Sequence, residues 1–202
     1  MQLLQIKKST STDKVWLTFD DGSFIPFNMD DLVIHKIKIG IIDNYQLLCE
    51  LSLKFLLNNY ALRQIAISPK VRQILAPKLV NQAKYYQTKY HLNVSYAQII
   101  ENILSYLDEK GWLDSIAYAK FLLKKHSKKS KRYLEQLFAF YHLDKTLLIS
   151  NDQDNIKKLL LKKISHLSNP LDFKTKNKLI QSLVQKGFAY SDIKFVIDEI
   201  AN

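Results

Sequence analysis

Two clusters of positive charge are the residues of this 202-residue sequence whose type and spacing could bind a partner. The first occupies residues 120–132 without an acidic residue among them: Lys120, Lys124, Lys125, Lys128, Lys129, Lys131 and Arg132. The second lies on the predicted helix over residues 155–167, on the side away from its apolar stripe: Lys157, Lys158, Lys162 and Lys163. Such clusters can follow a phosphate backbone, with affinity supplied by counterion release. They are equally typical of a solvated helix face.

The overall charge is uneven along the chain. The formal net charge is +11, and residues 1–60 carry one more acidic than basic side chain, so the excess lies in residues 61–202. This distribution predicts a polyanion or an acidic protein as partner. Of the 30 basic residues 27 are Lys, which is also compatible with a role in solubility alone. The shortage of Arg argues against base-specific readout of DNA.

No arrangement of residues predicts catalysis. None of the five histidines lies three or four residues from another, and the sequence has no phosphate-binding glycine loop or nucleophile elbow. The paired aspartates at 20–21 and 30–31 are explained by a turn and a helix N-terminus. His91 and His142 occupy helix ends, and Cys49 lies among leucines as a small core residue. We therefore expect no enzyme, no catalytic or metal site and no cofactor.

The predicted compartment is the cytoplasm. The longest uncharged stretch covers only residues 90–100, well short of the ~20 apolar residues that a membrane span requires. The first residues show no basic segment ahead of a long apolar run, so we expect no signal peptide and no membrane partner. A single cysteine excludes an internal disulfide and fits a reducing environment.

The first 42 residues are predicted to form a small β-rich cap. Residues 2–7, 14–19 and 23–27 have strand patterns, and Asp20-Asp21-Gly22 is a strong hairpin signal. Asn28 should cap a short helix over residues 29–36. Further on, Pro69 after Ser68 predicts a helix start, and Pro77 should kink or split the long helix that follows.

From residue 43 onward every segment has helical periodicity, and four glycines and four prolines are few enough to favour helices joined by short loops. Similar helix ends recur at residues 90–92, 141–143 and 186–188, whose central residues are 51 and 45 positions apart. The pattern predicts a mainly α protein of tandem three-helix repeats, stacked in an elongated curved array behind the hairpin cap. The expected segments are a cap over 1–42 and repeats over 43–114, 115–152 and 153–202.

The sequence resembles the RecX family of bacterial RecA modulators over nearly its whole length. The resemblance lies in residues 19–24, the Gly111-Trp112-Leu113-Asp114 junction with Tyr118-Ala119 after it, the basic start at residues 129–134, and residues 178–188. Gly111 and Gly187 fit left-handed helix ends, with an aromatic residue folding back after each. The sequence departs from the family pattern at Ser130, where the family tends to have Gly, and at His91 and His142, which replace a repeat glycine.

The resemblance implies a monomeric protein that binds the groove of a RecA–DNA filament. Such a protein would inhibit RecA as recombinase, ATPase and co-protease, in DNA repair and the SOS response. Both charge clusters would then form the surface for RecA, for single- or double-stranded DNA, or for both. Two alternatives remain at this point: a sequence-independent DNA-binding helical protein, and a helical adaptor for another protein.

Overall fold

The computed structural model describes residues 1–10, 13–148, 150–164 and 173–201. These residues divide into two compact units, Met1–Asp114 and Ser115–Asn202. The predicted fold class is confirmed: the chain is mainly helical, with a small antiparallel sheet at its N-terminal end. The finer division of the chain into one cap and three repeats stays a prediction.

The sheet of the first unit has four antiparallel strands in the order β3-β2-β1-β4. They are β1 (Gln2–Lys8), β2 (Lys14–Phe19), β3 (Phe24–Asn28) and β4 (Gly40–Ile41). The hairpin turn is where the sequence placed it, with the Phe19 amide donating to the Ser23 carbonyl at 2.9 Å and Gly22 at φ +79°. The sequence analysis missed β4, because a two-residue strand has no alternation of apolar and polar side chains to detect.

One face of the sheet is fully buried against the long helix that follows. The four helices of the first unit are α1 (Met29–Ile34), α2 (Tyr45–Ile67), α3 (Arg72–Tyr90) and α4 (Ala97–Glu109). Leu17 and Phe27 of the sheet and Leu53 of α2 are each 0% exposed in a single apolar core. Ser52 is equally buried, and its hydroxyl donates to the Pro26 carbonyl at 2.7 Å, so its polar group is satisfied there.

The prediction that Pro69 starts a helix was wrong, and Pro77 does not split the helix that contains it. Ser68 ends α2 with extended backbone, and α3 begins only at Arg72, three residues after Pro69. Pro77 lies within α3, which is not split. The missing N–H removes one backbone hydrogen bond, a cost offset by burial of Leu75 and Leu79 on either side.

The second unit contains five helices among its described residues. They are α5 (Ser115–Lys125), α6 (Lys131–Phe140), α7 (Asp152–Ile164), α8 (Phe173–Val184) and α9 (Tyr190–Ala201), with a 3₁₀ turn at Lys145–Leu147 between α6 and α7. The last three helices share a buried core of Ile156, Leu160, Leu179, Leu183, Phe188, Ile193, Val196 and Ile197. In the second predicted repeat the third helix is only this 3₁₀ turn. Residues 165–167 of the predicted lysine-bearing helix lie outside the described residues.

Helices α3, α4, α6 and α8 end in the same way. The residue that ends each helix has a left-handed backbone conformation: His91 at φ +51°, Gly111 at φ +68°, His142 at φ +53° and Gly187 at φ +91°. In each case the next amide donates to the carbonyl five residues earlier, as Phe188 does to Leu183 at 3.3 Å. The two histidines therefore occupy a backbone conformation that glycine adopts without strain.

Candidate interaction surface

The first predicted charge cluster lies on two successive helices of the second unit and on the turn between them. We call it the basic corner: Lys120, Lys124 and Lys125 of α5, Lys128 and Lys129 of the turn, and Lys131 and Arg132 of α6. All are exposed except Lys129, which is half-buried. The buried residues of α5 are Tyr118, Ala119 and Leu122. The α5, turn and α6 cations thus lie on consecutive elements of one unit, and their use as a common binding surface stays a prediction.

Ser130 holds the start of α6 in place. It is 0% exposed, and its hydroxyl accepts a hydrogen bond from the Tyr133 amide at 3.2 Å, which caps the helix. The Asp152 carboxylate of α7 accepts a second hydrogen bond from the Lys131 amide at 2.7 Å. Burial raises the pKa of Asp152, although the Lys131 amide opposes that shift. The Asp152 carboxylate therefore joins the start of α7 to the start of α6.

The aromatic residues near the basic corner pack within the unit. Tyr118 is buried and stacks on Phe121 at 6.0 Å between ring centroids, and burial together with Tyr141 raises its pKa to about 12. Tyr133 lies 5.5 Å from the His126 ring. Burial lowers the pKa of His126, as do the charges of Lys125 and Lys129. The neutral form of His126 is therefore favoured.

A groove of about 270 Å³ lies beside the basic corner, between the start of α6 and the end of α8. Lys129 and Arg132 line one side, and Lys186 and Gly187 line the other. The Ser130 amide donates to the Lys186 carbonyl at 3.4 Å across it. The sequence analysis missed Lys186 as a site residue. Its place in the recurring helix end at residues 186–188 was the available signal.

The second predicted cluster, on α7, is differently placed. Lys157 is half-buried and forms an ion pair with Glu199 of α9 at 2.5 Å. The Lys163 ammonium donates to the Ser182 hydroxyl of α8 at 2.8 Å. Lys158 and Lys162 are exposed. The structure therefore directs two of these four cations toward α8 and α9 of the same unit rather than to a common outer face.

Other candidate chemistry is limited. Within the described residues no group of three or more His, Cys, Asp or Glu side chains could hold a metal ion. Among the same residues, no helix is both long and apolar enough to cross a membrane. Cys49 is buried, and this burial raises the pKa of its thiol, as expected for a core residue.

The comparison with protein families identifies the end of the chain. Residues 151–197 match the family model described as RecX, third three-helix domain. This part of the chain is similar to a RecX domain. The match confirms the RecX resemblance recognised from the sequence. The matched residues contain the four lysines of α7 together with Lys186, whereas the basic corner precedes them.

Two solved structures are similar to this chain. A crystal structure of regulatory protein RecX superposes with a TM-score of 0.53 at 16% identity, covering 98% of both chains. A structure of RecX from Lactobacillus salivarius has a TM-score of 0.49 at 20% identity, covering 73% of this chain and 96% of its own. The first of these shows that this chain has a RecX-like fold. No curated protein matches the chain in sequence.

Proposed function

We propose that this protein binds RecA filaments assembled on DNA and inhibits RecA, with the basic corner as its main contact surface. The observation that supports the proposal most directly is the RecX third domain over residues 151–197. The first comparison structure, which has the same fold, carries the name of a regulatory protein. The proposed activity needs no catalytic residues, only a surface that fits an acidic filament.

Charge supports the choice of the basic corner over α7. Six of its seven cations are exposed, and its helices are fixed from beneath by buried apolar residues. Exposed lysines retain the mobility and counterions whose release favours polyanion binding. In contrast, a partner that binds Lys157 must compete with Glu199 for the same ammonium. The basic corner can therefore contribute more binding free energy per cation.

The test is a charge-reversal experiment in a RecA ATPase assay on single-stranded DNA. The variant replaces Lys124, Lys125 and Lys128 by Glu, because all three are exposed. We expect the concentration for half-inhibition to rise at least about tenfold, since three cations become like charges facing an acidic surface. The melting temperature should change little, because no buried contact is removed.

The matched control changes the same number of charges in the same unit. Lys174, Lys178 and Lys194 are also exposed lysines and are replaced by Glu together. This control should inhibit RecA as well as the unmodified protein does. Equal loss in both variants would show that only net charge matters and would remove the basic corner from the proposal. Absence of inhibition by the unmodified protein, with the cognate RecA, would contradict the proposed function itself.

A DNA-binding measurement without RecA separates the remaining alternatives. A sequence-independent DNA-binding protein would bind duplex DNA alone, and its log affinity would fall with log salt at ~0.9 per phosphate contacted. Under our proposal, inhibition of RecA persists at salt concentrations where binding to free duplex is lost. Failure to bind either RecA or DNA would favour a helical adaptor for another protein.

A further inference from the structure

The first unit contains an open cavity that plays no part in the proposed function. It has a volume of about 760 Å³ and lies between α2, α3 and the start of β2. Helix α2 contributes Asn59 and Arg63, four residues apart and so on one helix face. Helix α3 contributes Gln82 and Tyr86 with the same spacing. The volume is within the usual range for small-molecule sites.

Three cations surround this cavity: Lys14 of β2, Arg63 of α2 and Lys89 of α3. Among the described residues that line it, Asp13 is the one carboxylate, so the lining carries a net positive charge. Burial lowers the pKa of Lys14, and the charges of Lys89 and Arg63 lower it further. No ion pair joins any of the three cations to a carboxylate in the part of the chain that the structure describes. The pKa of Lys89 is instead raised, chiefly by its hydrogen bond with Tyr85. An anion between the three cations would relieve the repulsion that Lys14 experiences.

Aromatic rings form the rest of the wall. Tyr86 stacks on Tyr90 with 6.1 Å between ring centroids, and Tyr85 lies 5.5 Å from Tyr86. Tyr85 is 51% exposed, whereas Tyr90 is buried. The Lys89 ammonium lies 5.5 Å from the Tyr85 ring. The cavity therefore offers an accessible aromatic face directly beside a positive charge, a combination used to bind bases and phosphates together.

We propose that this cavity binds a nucleotide, with its phosphate between Lys14, Arg63 and Lys89 and its base against Tyr85. The side-chain amides of Asn59 and Gln82 lie in the same lining and can donate to and accept from base edges. Inorganic phosphate would use the cations but not the aromatic wall. The nucleotide has two possible sources, a free nucleotide or one residue of a single strand. The proposal stands independently of RecA binding.

The experiment uses the full-length protein and measures binding of AMP, inorganic phosphate and a fluorescein-labelled oligo(dT) strand. Calorimetry serves for the small molecules and fluorescence anisotropy for the strand. The variants are Arg63→Gln and Tyr85→Leu, both at exposed positions. The matched control is Lys84→Gln, which removes one exposed positive charge from α3 without touching the cavity.

We expect saturable AMP binding that is at least about tenfold tighter than phosphate binding, since stacking adds to the charge interaction. Arg63→Gln and Tyr85→Leu should each weaken AMP binding about tenfold, and Lys84→Gln should leave it unchanged. A strand that binds more tightly than AMP and loses affinity in the same variants identifies single strands as the source, and equal affinity identifies free nucleotides. Three outcomes would overturn the proposal. Lys84→Gln could weaken AMP binding as much as Arg63→Gln does, or phosphate could bind as tightly as AMP. The third outcome is that neither AMP nor the strand binds saturably.

Discussion

The contact between Gly187 and Ser130 gives the sharpest prediction of this structure. Gly187 ends α8 at φ +91°, and a Cβ built on it would lie 2.8 Å from the Ser130 hydroxyl oxygen. Ser130 cannot move away cheaply, because it is 0% exposed and its hydroxyl caps α6. The change Gly187→Ala should therefore destabilise the second unit through both backbone strain and overlap.

The two costs can be separated. An L-residue in left-handed backbone costs about 1–2 kcal/mol. Overlap within a packed site adds about 1–3 kcal/mol, and the lower entropy of the unfolded Ala chain returns about 0.4–1 kcal/mol. We expect a net loss of about 1–5 kcal/mol in the free energy of unfolding for Gly187→Ala.

A double-mutant cycle with Ser130→Ala isolates the overlap. Ser130→Ala alone should cost about 1 kcal/mol, because α6 loses its cap. In the double variant, the added Cβ at 187 meets the Cβ of residue 130 at 3.8 Å, an ordinary contact. The overlap then disappears while the strain of the left-handed backbone remains, so the double variant should be more stable than the sum of the single changes predicts by at least about 1 kcal/mol.

Urea unfolding followed by circular dichroism at 222 nm gives the four free energies of this cycle. Additivity to within about 0.3–0.5 kcal/mol would refute the reasoning, because it would mean that the two residues do not interact. A cost of Gly187→Ala below about 0.5 kcal/mol would refute the assigned backbone conformation as well.

Two further predictions concern histidines of the second unit. His142→Gly should raise the free energy of unfolding by up to about 1 kcal/mol in urea titrations, because glycine removes left-handed strain at φ +53° and gives back part of that gain in unfolded-chain entropy. Gln136→Gly in the interior of α6 is the matched control and should instead destabilise by about 1 kcal/mol. His126 has a pKa below its ordinary 6.5, so its neutral form is favoured in the folded state, and stability should fall as the pH drops through the ordinary value. Thermal unfolding between about pH 7.5 and 5.5 should show a smaller loss in His126→Gln, and an unchanged pH dependence would exclude His126 as its source.

Local sequence signals predicted most of the helices and strands. A helix or strand that buries one face needs apolar residues at the spacing of that face, and this spacing is visible in the sequence. The alternation of Val15, Leu17 and Phe19 became the buried face of β2. Pro69 failed as a helix start: the backbone is still extended at Val71, and this residue rather than Ser68 is the N-cap of α3. Helix α3 continues through Pro77, where the flanking residues Leu75 and Leu79 are buried. The rule that proline breaks a helix considers one helix alone and takes no account of such packing.

The candidate surfaces were predicted less completely, because they depend on contacts between elements. Sequence spacing placed the cations of the basic corner on consecutive elements, since the residues are close in sequence, and their role as a surface stays a prediction. The spacing did not reveal that Lys186 and Arg132 line the same groove, at the point where Gly187 lies close to Ser130. The cavity of the first unit was not predicted, since Lys14, Arg63 and Lys89 are far apart in sequence and line one cavity only when α2, α3 and β2 pack together.

The α7 lysines show why a charge cluster in sequence is not yet a binding surface. Lys157 and Lys163 differ from Lys158 in their partners, because Glu199 and Ser182 hold the first two within the second unit. A polyanion that recruits Lys157 must leave Glu199 without its cation, which reduces the net gain in binding free energy. None of the ion pairs among the described residues involves a lysine of the basic corner. A polyanion that binds these lysines therefore breaks none of those ion pairs. Charge in the described residues is therefore divided between lysines held to neighbouring helices and the exposed cations of the basic corner, which we propose as the surface for a partner.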